Sequence, residues 1–278
     1  MIIIDSIKQT KQVVACYKAA GKSIGFVPTM GALHNGHLSL VEQAGKNNDI
    51  VAVSIFVNPL QFNNKEDLEK YPRNVNEDIE KLKKKGVDIV FMPSVEEMYP
   101  EKVEKSYDFG SLERVMEGAF RPGHFNGVAI VVERLFNIIQ PDNAYFGEKD
   151  FQQLAIIKRL VEIEQMDLKI IGCPIIREES GLAMSSRNER LTKQERAEAT
   201  IIFRTLSEAA QMKKTHSLGE VEAYVKKCFD ESSLRLEYFS LVDADTLLPI
   251  KAWTDSKNIR GFIAAFSGHV RLIDNIAF

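Results

Sequence analysis

Ile24-Gly25-Phe26-Val27-Pro28-Thr29-Met30-Gly31-Ala32-Leu33-His34-Asn35-Gly36-His37 runs from an apolar strand, through a loop of glycines and histidines, into an amphipathic helix. At the carboxyl end of a buried parallel strand, such a loop presents backbone N–H groups and a positive helix end to phosphate. Gly31 and Gly36 let the backbone approach a ligand closely. His34 and His37 lie three apart, so on an incipient helical turn both imidazoles can face one point. Two donors converging there suit charge developing on an α-phosphate during adenylyl transfer. Gly31 and Gly36 have Walker-A spacing, but His37 stands where that loop needs its lysine, which argues against a P-loop NTPase. As metal ligands, the two histidines lack a third His or Cys nearby. Taken alone, the stretch leaves open a plain turn with exposed histidines.

Working outward, further apolar, β-branched runs over 50–57, 87–92, 144–146 and 168–172 read as buried parallel strands. Helix-length segments over 38–46, 76–85, 128–139 and 151–164 separate them, and in the last Leu154, Ile157, Leu160 and Val161 recur at helical spacing. This alternation predicts an α/β fold, a Rossmann-like open parallel sheet flanked by helices. After Cys173-Pro174 the pattern changes. One long helix is expected from Thr192, a capping residue with Glu195 three positions on, to about Met212, and a second over 218–229. Strands over 236–242, 260–266 and 270–276 follow, the last two joined at Gly268-His269. The expected organisation is therefore a first domain over 1–173 and a smaller α+β C-terminal domain over 174–278.

Composition sets the outer limits. Of 278 residues, 45% are hydrophobic and 27% charged, ordinary for a globular enzyme, and a net charge of −3 points to neither nucleic acid nor membrane as partner. No apolar run approaches the roughly 20 residues of a membrane span. Met1-Ile2-Ile3-Ile4-Asp5 turns polar too early for a secretory signal. Cys16, Cys173 and Cys228 are few and far apart, as expected of a cytoplasmic protein.

Other polar clusters are candidates too, and the stretch 146–150 falls where the sheet's carboxyl edge is predicted. In Phe146-Gly147-Glu148-Lys149-Asp150, Gly147 lets the backbone near a ligand and Lys149 supplies a compact positive charge for phosphate. Gln61, after Asn58-Pro59, and Gln153, in the first turn of a helix, offer neutral amides able to donate and accept. Met184-Ser185-Ser186-Arg187 combines hydroxyls and a cation on a loop able to close on a triphosphate, with Gly181 as its hinge. Arg121 and His124 sit on a Gly/Pro-rich segment that reads as a flap, with a phosphate role and a purely structural one both open for Arg121. Glu77 and Asp78 read either as carriers of Mg²⁺ through water or as acids near a helix start.

The stretch Pro28 to Leu40, PTMGALHNGHLSL, resembles the HIGH signature of the nucleotidylyltransferase and class I aminoacyl-tRNA synthetase superfamily, in the version of the pantoate–β-alanine ligases. The likeness continues in order through IFVNPLQF (55–62), YPR (71–73), RPGHFNGV (121–128), FGEKDFQQ (146–153) and LAMSSRN (182–188), spanning essentially the whole chain. It implies ATP-dependent condensation of pantoate with β-alanine through a pantoyl adenylate, with AMP and pyrophosphate released. It further implies His37, His34, Lys149 and Arg187 as catalytic groups. ATP is expected at Met30 through His37, at Gly147, Glu148, Lys149 and Asp150 (the last near the ribose), at Ile176 (backbone to adenine), and at Met184, Ser185, Ser186 and Arg187. Gln61 and Gln153 would hold pantoate, with Asn58 helping to orient it, and Gln61 would also meet β-alanine. Mg²⁺ is expected on the ATP phosphates, without dedicated protein ligands. The resemblance suggests a homodimer. Ser185-Ser186-Arg187 departs from the superfamily's KMSKS loop in lacking its second lysine, so Lys149 and Arg187 together must supply the charge. A nucleotidylyltransferase that stops at the adenylate, and a non-catalytic nucleotide-binding scaffold, are the competing readings. A tRNA synthetase is disfavoured by a small second domain with no basic stripe.

Overall fold

A computed structural model describes all residues, 1–278. In chain order the elements are β1 (Ile2–Ile4), α1 (Ile7–Ala19), β2 (Ile24–Thr29), α2 (Asn35–Asn47), β3 (Ile50–Ile55), α3 (Lys65–Glu69), α4 (Val75–Lys84), β4 (Ile89–Phe91), α5 (Val95–Met98), α6 (Met116–Phe120), α7 (His124–Ile139), β5 (Asn143–Gly147), α8 (Phe151–Ile163) and β6 (Lys169–Cys173). There follow α9 (Lys193–Glu198), α10 (Ile201–Met212), α11 (Leu218–Asp230), β7 (Arg235–Asp243), β8 (Ile259–Ser267) and β9 (Val270–Ala277). No helix is long and apolar enough to cross a membrane.

Two compact units result. The first comprises Met1–Phe109, Arg121–Glu148 and Gln153–Pro174. It is built on a six-stranded, all-parallel sheet in the order β1-β4-β3-β2-β5-β6. All six residues of β3 are buried, as a strand covered on both faces requires. On one face Val27, Val41, Val53 and Leu82 pack together; elsewhere in the unit Phe136 meets Phe26 and Phe146 edge-on. The strand order reverses between β2 and β5, which lie side by side. Their carboxyl ends therefore flank the topological switch point, where open α/β sheets bind ligands. β1 was not expected: three isoleucines are too short for a periodicity signal, and their pairing with β4 is a tertiary event.

The second unit comprises Gly110–Phe120, Lys149–Gln152 and Ile175–Phe278, around the antiparallel sheet β7-β8-β9. Ile202, Leu206, Val221, Val225 and Ile263 form its core. The expected long helix from Thr192 is two helices. Thr192 and Glu195 do form a capping box. At the break, however, the Thr200 hydroxyl bonds back to the Ala197 carbonyl (2.7 Å) and Ile202 N–H bonds to Ala199 O (3.2 Å), tightening the turn.

Two short segments that the sequence pattern assigns to the first domain belong here. Gln152, buried, donates to the Leu112 and Val115 carbonyls (2.7 and 2.8 Å) and accepts from Glu117 N–H (2.9 Å). Arg271 on β9 pairs with both oxygens of Glu117 (2.7 Å each), whose Oε1 also accepts from Tyr238 OH (2.8 Å). Such bonds join segments far apart in the chain, so local pattern does not reveal them.

Candidate active site

Beyond β2 the backbone turns left-handed at Gly31 (φ 81°) and Ala32 (φ 50°). A Cβ on Gly31 would stand 3.1 Å from Asp78 Oδ2 and from Ile55 Cγ2, so both conformation and space call for glycine. Alanine at position 32 costs about 1–2 kcal/mol in this region. Asp78 on α4 offsets the strain by accepting from Ala32 N–H (2.8 Å) and Leu33 N–H (2.7 Å), while Lys81, one turn on, donates to Leu33 O (2.6 Å). Gly31 N–H bonds to Thr29 Oγ1 (3.2 Å). Burial pushes the Asp78 carboxyl up, and the two N–H groups oppose it. The N–H groups of residues 31–33 are thus engaged within the first unit, and Asp78 acts as a clamp on the loop. Glu77 pairs with Lys81 (2.8 Å).

Asp78→Asn tests the clamp. The amide keeps one acceptor but turns an NH₂ toward the second N–H, an expected loss of about 1–3 kcal/mol. Urea denaturation reads this loss, and adenylate formation should fall with it. Unchanged stability and activity would rule the clamp out.

His34 and His37 form a reciprocal capping box at the start of α2. His37 Nδ1 accepts from His34 N–H (3.3 Å), and His34 Nδ1 accepts from Gly36 N–H (3.1 Å). With both Nδ1 atoms acting as acceptors, the proton of each neutral ring lies on Nε2. The ring centroids are 4.0 Å apart. The spacing of three that suggested convergence is thus realised through backbone capping.

Gln61 ends a 3-10 turn, Pro59–Gln61, after β3. Asn58, almost wholly buried, donates to Gln61 Oε1 (3.1 Å) and Gly127 O (3.0 Å), and its own carbonyl accepts from Tyr99 OH (2.9 Å). Burial pushes the Tyr99 hydroxyl up, which keeps it a donor. The Gln61 oxygen is thereby engaged and its Nε2 points to Met30 Sδ (3.3 Å). Asn58 orients the glutamine. Arg121 and His124, expected on a flap, clamp the same residue from its backbone. His124 Nδ1 lies 2.8 Å from Gln61 O, and Arg121 Nη1 lies 3.0 Å from His124 Nε2. Arginine can only donate, so His124 Nε2 accepts and its Nδ1–H donates to Gln61. Gly127 allows the approach: a Cβ there would fall 2.2 Å from Leu60 O.

Beside Met30 and Gly31 a cavity of about 250 Å³ is lined by Phe56, Val57, Arg73, Asp78 and Ser94, among others. At the end of β5, an added Cβ on Gly147 would meet no protein atom within 4 Å, so the protein's own packing does not demand this glycine. Glu148 and Gln153 are half-buried.

Lys149, Asp150, Ile176, Met184, Ser185, Ser186 and Arg187 belong to the second unit. Lys149 Nζ lies 3.6 Å from Asp150 Oδ1. Residues 176–184 form a hairpin: Met184 N–H bonds to Ile176 O (3.0 Å) and Arg177 bridges Ala183. Gly181 (φ 89°) makes its tight turn, with Phe203 2.5 Å from where a Cβ would sit. Phe203 packs against this turn. Ser185 Oγ caps the 3-10 helix Ser186–Arg190 by accepting from Arg187 N–H (3.3 Å). Asn188 ties that helix to Glu178 (2.9 Å) and to Ala183 O (3.0 Å). Ser186 is buried. Asp78, Lys81 and Tyr99, which hold these groups, carry no motif signal beyond their polarity, whereas Asn188 closes the LAMSSRN motif.

Known proteins share this architecture. The family model described as Pantoate-beta-alanine ligase matches residues 2–277. A pantothenate synthetase of Bacteroides thetaiotaomicron is 49% identical, covering 100% of this chain and 99% of its own. One of Christiangramia forsetii is 54% identical over 96% of this chain and 95% of its own. The crystal structure of pantothenate synthetase from Thermus thermophilus superposes with a TM-score of 0.92 at 41% identity, covering 99% of each chain. Pantoate-beta-alanine ligase from Francisella tularensis, complexed with Beta-gamma ATP and Beta-alanine, gives 0.84 at 39% identity, over 100% of this chain and 97% of that one. With the match running from end to end, and the histidine loop standing at the switch point of the sheet, the chain belongs to the pantoate-beta-alanine ligase family.

Proposed function

We propose that this ligase joins pantoate to β-alanine at the expense of ATP, in two half-reactions. The pantoate carboxylate attacks the α-phosphate of MgATP, forming pantoyl adenylate and expelling pyrophosphate. The β-alanine amine then attacks the acyl carbonyl, the C–N bond forms, the amine proton is lost and AMP leaves, giving pantothenate. Amide formation from a free carboxylate is uphill in water, and the mixed anhydride supplies the driving force.

The reciprocal histidine cap carries the reading. It orients both imidazoles with Nε2–H outward from their backbone bonds, as stabilising the charge on an α-phosphate requires. ATP would run along Met30–His37, the Gly147–Asp150 segment, Ile176 and the Met184–Arg187 segment, with Lys149 and Arg187 on the triphosphate. Pantoate would be held by Gln61 and Gln153. Gln61, its oxygen taken by Asn58, would present N–H donors to pantoate and then to β-alanine. Mg²⁺ enters on the nucleotide. The Francisella complex supports ATP and β-alanine as substrates. A homodimer in the cytoplasm completes the proposal; all three cysteines are free, in keeping with a reducing compartment.

The test is product release. Pyrophosphate should appear with ATP and pantoate alone, and AMP only once β-alanine is added. Adenylate accumulation without β-alanine-dependent AMP would favour the nucleotidylyltransferase reading. No pyrophosphate would leave only a binding protein.

A further inference from the structure

Asp274 and Asn275 are adjacent on β9 and both almost wholly buried, 3% and 1% exposed. Neighbours on a strand point to opposite faces of the sheet, so the pair can grip two different segments. Asp274 takes Arg177 in a two-pronged ion pair (Oδ2–Nη1 2.6 Å, Oδ1–Nη2 3.0 Å). Arg177 lies over the Phe203 ring at 3.9 Å and donates to Gly181 O (3.1 Å), so this pair fixes both arms of the hairpin that leads into Met184–Arg187. Asn275 accepts from Arg260 Nη1 (2.5 Å) and donates from Nδ2 to the backbone carbonyl of Lys149 (2.9 Å). Arg260 in turn stacks over Phe151 (4.0 Å), two residues past Lys149. The peptide links the two grips as well, since Asn275 N–H bonds to Asp274 Oδ1 (2.8 Å). Burial pushes the Asp274 carboxyl up, opposed by Arg177 and, more weakly, by the Lys149 ammonium.

Burying a carboxylate and an amide on an edge strand is costly unless every polar atom has a partner. Here the partners are the two chain segments that carry Lys149 and Arg187. We infer that Asp274-Asn275 is a positioning pair that holds the Lys149 segment in register with the Ser185–Arg187 segment, so that the two cations act on one triphosphate as a unit. Neither residue touches substrate. The inference rests on the assignment of Lys149 to the triphosphate.

A double-mutant cycle on pyrophosphate release, run in the full-length enzyme with ATP and pantoate, tests it. Asn275→Ala should slow release about tenfold, the upper worth of a lost neutral hydrogen bond to a backbone carbonyl. The KM for pantoate should stay within about twofold, since Gln61 and Gln153 are untouched. In a Lys149→Ala background, Asn275→Ala should add less than about a further twofold loss. Should Lys149→Ala turn over too slowly to read a further loss, Lys149→Arg takes its place in the cycle. Should Asn275→Ala not fold, Asn275→Asp serves: it keeps the acceptor for Arg260 and removes the donor to Lys149. Losses that multiply across the cycle, or wild-type release by the Asn275 variant, would overturn the pair's role. Wild-type release by Lys149→Ala would instead overturn the assignment of Lys149 itself.

Discussion

His37→Ala should make pantoyl adenylate about a hundred- to a thousandfold more slowly, while its affinity for ATP changes little. The loss follows from removing one preorganised donor aimed at developing charge, whose worth is about 10²–10³ in rate. ATP affinity should hold because most of the nucleotide's proposed contacts lie elsewhere. Rapid mixing with ATP and pantoate, quenched within one turnover, measures the adenylate; a normal yield would remove His37 from the chemistry. The structure adds a control for its neighbour. His34 caps α2 through its own Nδ1, and asparagine caps a helix well. His34→Asn should therefore lose adenylate formation while keeping about 1 kcal/mol of stability that His34→Ala forfeits. Equal melting temperatures for the two variants would show that the cap contributes nothing.

Arg271→Met should destabilise the protein by about 3–5 kcal/mol, the cost of leaving a buried carboxylate without its partner. Arg271 spans Glu117 and Glu237, with bonds of 2.6 to 2.8 Å, and all three side chains are at least four-fifths buried. Burial disfavours the Arg271 charge, and its bonds to Glu117 and then Glu237 more than compensate, holding the guanidinium's proton above the usual range. Thermal unfolding should shift by roughly 10 °C, at about 2–4 °C per kcal/mol for a protein of this size. Adding Glu117→Gln should recover part of the loss, because the buried negative charge no longer stands alone. No recovery in the double variant would mean that Arg271 acts through packing. Since Glu117 lies in Gly110–Phe120, the same change should raise hydrogen exchange in that segment first.

Much of this is legible in the sequence. Strands β2 to β6 follow from apolar, β-branched runs, because a strand covered on both faces has to be apolar throughout. The helices α2, α4, α7 and α8 follow from apolar spacing. The His34/His37 pair is visible because capping and convergence are both local, set by a separation of three residues. Less is visible where a side chain acts across the chain. Asp78 reads as a helix-start acid in sequence and is the clamp on Ala32 and Leu33, 46 and 45 positions away. Arg121 and His124 read as a flap and instead hold the Gln61 carbonyl, 63 positions from His124. Gly181 reads as a hinge in sequence; that Phe203 packs against its turn is visible only in the fold.

The alternation of apolar strand runs with helical segments determined, by local patterning, an open parallel sheet, and the histidine loop at residues 30–37 marked one carboxyl edge of it as a candidate site. Hydrophobic periodicity and capping depend only on residues within a few positions of each other, so they survive in a one-dimensional reading. Which donors that loop keeps for a ligand was decided by the tertiary structure. A backbone N–H is the same in every sequence, and only the folded chain shows that Asp78 has taken two of them while the imidazoles cap α2.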